Sequence, residues 1–197
     1  MADSFTRGTR GDDSLRRRIL EATLQVIATD GVDAVRHRRV ADLAGASLGS
    51  TTYHFAGREH LIEAAFALYL EEATAFLDGL ADPPTRGSGL SGAIVGYIER
   101  MLTEEFAEEG MVQAEYELIL YATRAPRVAA RLREWEAAQR GHFEALLRDA
   151  GAPRPAQGAR TLLALIRGLE IERLTSGAPI RNLRRRLEPV VRALVGQ

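Results

Sequence analysis

No cysteine and no lysine occur in this chain of 197 residues, and aromatic residues make up only 6% of it. Without cysteine there is no disulfide, no thiolate nucleophile and no cysteine-ligated zinc, a pattern that fits a reducing interior. No apolar run approaches the ~18 residues that a membrane-spanning helix needs. The polar stretch Met1 to Arg10 lacks the apolar segment of a secretory signal. A cytoplasmic protein with no membrane partner is expected. An excess of either charge is also missing: 26 basic residues, all arginine, face 27 acidic ones, for a net charge of −1. The whole molecule therefore does not attract a polyanion, and any such affinity has to come from a local arrangement. The exclusive use of arginine follows GC-rich coding and carries no functional weight.

Alanine and leucine dominate what is present, which favours helix over sheet. Residues 1–12 show no apolar period and read as a flexible arm. Asp13 or Ser14 can cap a first helix, in which Leu15, Ile19, Ala22, Val26 and Ile27 recur at helical spacing before Gly31 stops it. Short helices are predicted over 36–44 and 48–54, the first closed by Gly45 and the second capped by Ser47. A long helix follows from Gly57-Arg58-Glu59 to about Leu80. Asp82-Pro83-Pro84-Thr85-Arg86-Gly87 is the clearest break. Beyond it the spacing predicts helices over 89–108 (capped by Ser88), 111–123, 126–149, 156–175 and 181–195. Pro189 imposes a kink or a later start on the last one. The expected class is all-α, with about nine helices and no strand.

Residues 36–55 carry the chemistry: Arg-His-Arg-Arg-Val-Ala-Asp-Leu-Ala-Gly-Ala-Ser-Leu-Gly-Ser-Thr-Thr-Tyr-His-Phe. Two short helices meeting steeply need a small residue where they touch and a glycine in the turn, and Ala41 and Gly45 supply both. Val40, Ala44 and Ala46 are the apolar positions that join the pair. The second helix carries small polar groups, as a helix entering a DNA groove requires. An ordinary helical hairpin gives the same pattern.

Residues 15–70 resemble the DNA-binding head of the tetracycline-repressor (TetR) family. The matching positions are Gly31, Val40-Ala41, Ala44-Gly45-Ala46-Ser47, Phe55, Arg58-Glu59 and Leu61, with no gaps. Three positions depart from the family pattern. Arg36 replaces the usual threonine, the family's recognition-helix tyrosine falls on Thr52 with Tyr53 beside it, and Arg58 replaces a lysine. The resemblance implies a three-helix helix-turn-helix head over 13–56 and a helical ligand-binding and dimerisation bundle over 57–197. It also implies double-stranded DNA, a palindromic operator, as a partner, with half-sites about one turn (~34–36 Å) apart. Leu48, Gly49, Ser50 and Thr51 are then expected nearest the bases, with the capping Ser47 also at the DNA. Arg36, Thr52, Tyr53, His54 and Arg58 are expected on phosphates, with Arg7 and Arg10 as a loose arm or a solvated tail. Arg16-Arg17-Arg18 reads as a solvated face that can add one phosphate contact.

For the remaining chain the resemblance implies a homodimer and a small-molecule effector. Tyr97, Met101, Tyr116, Trp135, Phe143 and Leu169 are candidate cavity walls, with Glu115 or Gln139 as polar anchors. Each can equally be core. Glu115, if buried without a partner, would favour a cationic ligand. Ala159, Leu162, Leu163, Ile166, Ile171, Leu183, Leu187, Val190, Val191 and Leu194 exceed one helical stripe and are offered to a dimer seam, where Gly168 permits close approach. Other motifs carry less. Gly45-Ala46-Ser47-Leu48-Gly49 fits the nucleophile-elbow pattern but follows a helix instead of a strand. The four histidines form no ligand pair at helical spacing, and Glu104, Glu105, Glu108 and Glu109 read as a solvated helix end. No catalytic residue, metal or cofactor is expected. An enzyme acting in the helical body and a purely structural dimer are the competing readings, separated from a regulator by DNA retention.

Overall fold

Gly31, Gly45 and Gly177 end helices where expected, and Pro126 opens one. The structure is a computed structural model that describes residues 5–80, 89–107 and 110–196, with side chains from Asp12 onward. Among these residues are nine α-helices, one 3-10 turn and no strand. The helices are α1 (Phe5–Asp30), α2 (His37–Ala44), α3 (Leu48–His54), α4 (Arg58–Gly79), α5 (Leu90–Glu105), α6 (Met111–Ala122), α7 (Pro126–Asp149), α8 (Pro155–Ser176) and α9 (Leu183–Leu194); the 3-10 turn is Val32–Ala34. None of the described helices is long and apolar enough to cross a membrane.

α1 corrects one boundary: it begins at Phe5, so residues 5–12 are its first turns and not a separate arm. No proline interrupts this stretch, and Gly8 and Gly11 each cost a helix only about 1 kcal/mol. The side chains of Arg7 and Arg10, the 82–87 break, the Ser88 cap and Glu108-Glu109 lie outside the described residues. α9 begins at Leu183 and runs on through the exposed Pro189 to Leu194, so the proline does not set its start.

Residues divide into two compact units. The first comprises Met1–Ala73 and Gly110–Arg131. It takes in the start of α4 and all of α6, so it is larger than the 13–56 segment. Ile19, Leu20, Leu24, Val26 and Ile27 of α1 are buried in it with Val40, Phe55, Leu61, Ile62, Phe66 and Leu118. α6 lies close on α1: Gly110, at φ 86°, would put an added Cβ 3.0 Å from the Ala28 Cβ. Glu115 of α6 is buried and accepts the Tyr69 hydroxyl hydrogen bond at 2.6 Å.

The second unit comprises Thr74–Glu109 and Leu132–Gln197. Its core joins Ile94, Tyr97, Ile98, Met101, Phe143, Leu147, Leu162, Ile166, Leu169, Leu187 and Val191. Ala159, Leu162, Ile166, Leu187 and Val191 are therefore buried inside the unit and not held over for a seam. Two sides of one helix must be covered when it packs between neighbours, and the sequence pattern does not say by what.

Candidate nucleic-acid interface

The turn between α2 and α3 is built from backbone bonds that only glycine allows without strain. Gly45 sits at φ 62°, ψ 35°. Its N–H reaches the Asp42 carbonyl at 3.5 Å, and the Ala46 N–H donates to the Ala41 carbonyl at 2.9 Å. This pair of bonds satisfies the last carbonyls of α2 and reverses the chain sharply. Ser47 then caps α3, its hydroxyl accepting the Ser50 N–H at 2.9 Å. Buried Val40 and Ala41 on α2 and buried Thr51 and Phe55 at α3 hold the pair together.

α3 consequently has a distinct outer face. Leu48, Gly49, Thr52 and Tyr53 are exposed, at i, i+1, i+4 and i+5, and Tyr53 is 81% exposed. Ser50 is half-buried, its hydroxyl 2.8 Å from that of Ser47. Thr51 leaves the set of expected base contacts: it is fully buried and its hydroxyl donates to the Ser47 carbonyl. A run of Ser-Thr-Thr cannot reveal from composition which of its members points inward.

Two expected phosphate ligands are engaged elsewhere. His54 is only 8% exposed, with Nε2 3.1 Å from an Asp12 carboxylate oxygen. The Arg58 guanidinium donates to the carbonyls of Val35 at 3.1 Å and Val32 at 2.8 Å, and lies 3.3 Å from Asp33. It ties the start of α4 to the 3-10 turn. His37 likewise donates from Nε2 to the Phe55 carbonyl at 2.9 Å, since a carbonyl can only accept. Arg36 caps α2 by position and is exposed. Beside it lies Arg38, a residue that sequence reasoning passed over. Both are exposed with no ion-pair partner among the described residues, and with Arg39, Asp42 and Leu43 they line an open groove of about 530 Å³. Arg39 itself pairs with Asp30. The signal for Arg38 was present: in a helix beginning at His37 it lies in the first turn.

The residues expected to line a cavity are distributed over both units. Glu115 and the half-buried Tyr116 belong to the first unit. Tyr97, Met101, Phe143 and Leu169 come together in the core of the second. There the Tyr97 hydroxyl meets His142 Nε2 at 2.8 Å, and the Phe143 ring stands edge-on to both. Trp135 is buried in the same unit with the Arg167 guanidinium 5.9 Å from its ring centre, and Gln139 is half-buried. Glu115 accepts from Tyr69, so the condition under which it would favour a cation is not met.

Two family models match the chain. One, described as bacterial regulatory proteins, tetR family, covers residues 19–65. The other, described as tetracyclin repressor-like, C-terminal domain, covers residues 89–197. No curated protein matches the sequence. Among solved structures, a transcriptional regulator from Rhodococcus sp. Rha1 superposes with a TM-score of 0.79 at 23% identity, over 92% of this chain and 96% of that one. A TetR-family member from Streptomyces coelicolor A3, SCO1917, gives 0.69 at 29% identity over 91% and 97%. The multidrug binding protein EbrR, solved with ethidium, gives 0.65 at 28% identity over 89% and 98%.

Proposed function

The chain belongs to the TetR family of transcriptional regulators, and from that premise we propose that it is a homodimeric repressor released from a palindromic operator by a small molecule. A DNA-binding regulator, and not an enzyme, is what membership gives. The observation that carries the operator reading is the outer face of α3. It shows Leu48, Gly49, Thr52 and Tyr53 to solvent behind a turn fixed by Gly45. Arg36 and Arg38, exposed at the start of α2, supply charge that phosphates can take up.

Dimerisation is assigned to α8 and α9. Thr161, Ala164, Gly168, Ile171 and Thr175 are exposed along α8 at alternating spacings of three and four, the spacing of a helix–helix seam. Nothing lies within 4 Å of a Cβ added at Gly168, so a second helix can come close there. Pairing two heads raises affinity through effective concentration, since one head offers few base contacts. The effector is assigned to the second unit, where the Tyr97–His142 pair is a polar anchor among apolar walls. The complex of EbrR with ethidium supports a small-molecule effector for a chain of this kind. Release is a population shift: the effector binds better to a state in which α4 has moved, and weakens DNA binding by that difference in affinity.

Fluorescence anisotropy with a duplex from upstream of the chain's own gene tests this reading. Saturable binding at dimer concentration, with affinity falling as salt rises, is expected. A chain that retains no duplex, or one that binds all duplexes alike, would falsify it.

A further inference from the structure

α3 has few groups with which to read a base by hydrogen bonding. Its sequence, Leu-Gly-Ser-Thr-Thr-Tyr-His, contains no arginine, asparagine, glutamine, aspartate or glutamate. Those are the side chains that grip guanine or adenine with two bonds or accept from cytosine. Of its four hydroxyls, the exposed Tyr53 phenol is the one with no partner among the described residues, and the other three are engaged within the protein. Thr51 is buried and donates to the Ser47 carbonyl. Thr52 donates to the carbonyls of Leu48 and Gly49, each at 3.0 Å. Ser47 and Ser50 share one bond at 2.8 Å, which leaves a single free proton between them. His54 faces Asp12.

What the outer face does present at its leading turn is the Leu48 side chain, 48% exposed, next to the bare backbone of Gly49. A lone exposed leucine on a protein surface is ordinary. On a helix that enters the major groove it meets a surface on which nearly every substituent of a base edge is a hydrogen-bond donor or acceptor. The exception is the C5 methyl of thymine. Leucine gains by covering that methyl. Against a cytosine or adenine amino group it would bury a donor with no acceptor.

We propose that Leu48 determines operator specificity by packing on the C5 methyl of one thymine in each half-site, so that α3 reads its site through apolar contact more than through hydrogen bonds. The inference rests on α3 being the groove-entering helix. It deepens that reading by naming the chemical group recognised.

The test deletes the methyl from the DNA, which makes it independent of how any variant folds. The full chain selects binding sequences from a random duplex pool. Each thymine of the selected duplex is then replaced singly by deoxyuridine, which lacks only the methyl and keeps every hydrogen-bonding group. At one thymine per half-site the wild-type chain should lose about fourfold in affinity, the equivalent of ~0.8 kcal/mol for one buried methylene-sized group. Replacing both half-sites should cost roughly sixteenfold, the square of that factor. Leu48→Ala should bind the thymine and deoxyuridine duplexes equally. Indifference of the wild-type chain to every replacement overturns the assignment, and so does undiminished sensitivity in Leu48→Ala. A pool from which no sequence is enriched overturns the operator reading itself, and the assignment with it.

Discussion

A single methyl group added at position 49 should separate stability from recognition. Gly49 is the second residue of α3, is exposed, and does not have a positive φ. A Cβ built on it meets only the Ser47 hydroxyl oxygen, at 3.7 Å, an ordinary van der Waals distance. The protein's own packing therefore has room for alanine. Glycine inside a helix costs about 0.5–1 kcal/mol relative to alanine. Gly49→Ala should leave the fold intact and raise stability by up to about 1 kcal/mol, or roughly 2–4 °C in Tm for a chain of this size. Against a duplex the sign reverses. If the backbone at Gly49 approaches the groove, the new methyl occupies the contact, and overpacking a close interface typically costs about 1–3 kcal/mol. That is roughly a 5- to 150-fold loss of affinity. Thermal denaturation by circular dichroism and anisotropy with the selected duplex read the two effects separately. A variant that melts as high as the parent and binds as tightly would show that position 49 faces away from the bases. The docking face assigned to α3 would then be wrong.

Arg58→Ala should lower stability by about 2 kcal/mol in urea unfolding, because it removes charge-assisted bonds to two carbonyls from a side chain that is one-third exposed. It should leave the slope of log affinity against log salt unchanged, whereas Arg38→Ala should make that slope shallower by about 0.9 per head. On the proposed dimer, Arg36 and Arg38 from two heads give a wild-type slope near −4, at roughly −0.9 per phosphate. Gly158→Ala places a Cβ 2.9 Å from Leu147 Cδ1 and 3.6 Å from Leu194 Cδ2 in a closed core. Overpacking of ~1–3 kcal/mol against a helix-propensity gain of ~1 kcal/mol predicts a net loss near 1 kcal/mol, seen as a lower urea midpoint. Two hydrogen bonds from the Arg186 guanidinium, both at 2.7 Å, hold the Glu172 carboxyl below the ordinary carboxylate range. Because the folded value is depressed, the stabilisation is present above the ordinary range and fades as pH falls through the folded value. Nuclear magnetic resonance titration should find the Glu172 midpoint low in the parent and back in the ordinary range in Arg186→Ala.

Where punctuation is local, the sequence was legible. Gly31, Gly45 and Gly177 all adopt positive φ at helix ends, and Pro126 opens α7 as a first-turn proline should. The Val32–Ala34 turn was not, because three residues of Val-Asp-Ala carry no period to detect. In the site, the Ser47 cap, the Gly45 turn and the short helix over 48–54 followed from spacing alone. The inward positions did not: a seven-residue helix has too few turns for a polar run to show a face. The partners that claim His54 and Arg58 are 42 and 26 residues away in sequence, Asp12 and Val32, beyond the reach of any local pattern.

Internal use of these donors has a physical consequence for how the head works. A histidine or arginine near a recognition helix looks like a phosphate ligand because both carry donors that suit an oxyanion. Here His37 holds the chain end at Phe55, His54 reaches α1, and Arg58 grips the turn that leads into α2. The two histidines fix α3 against α2 and α1, and Arg58 fixes the start of α4 against the 3-10 turn. Rigidity gained that way lowers the ordering cost of binding. It also leaves fewer cations to contact phosphate, in a chain whose net charge is already −1. Affinity must then lean on preorganisation and on the neutral face of Leu48, Gly49, Thr52 and Tyr53. A salt slope of about −4, shallower than that of a binder making roughly six to ten phosphate contacts, is the outcome this division of labour requires.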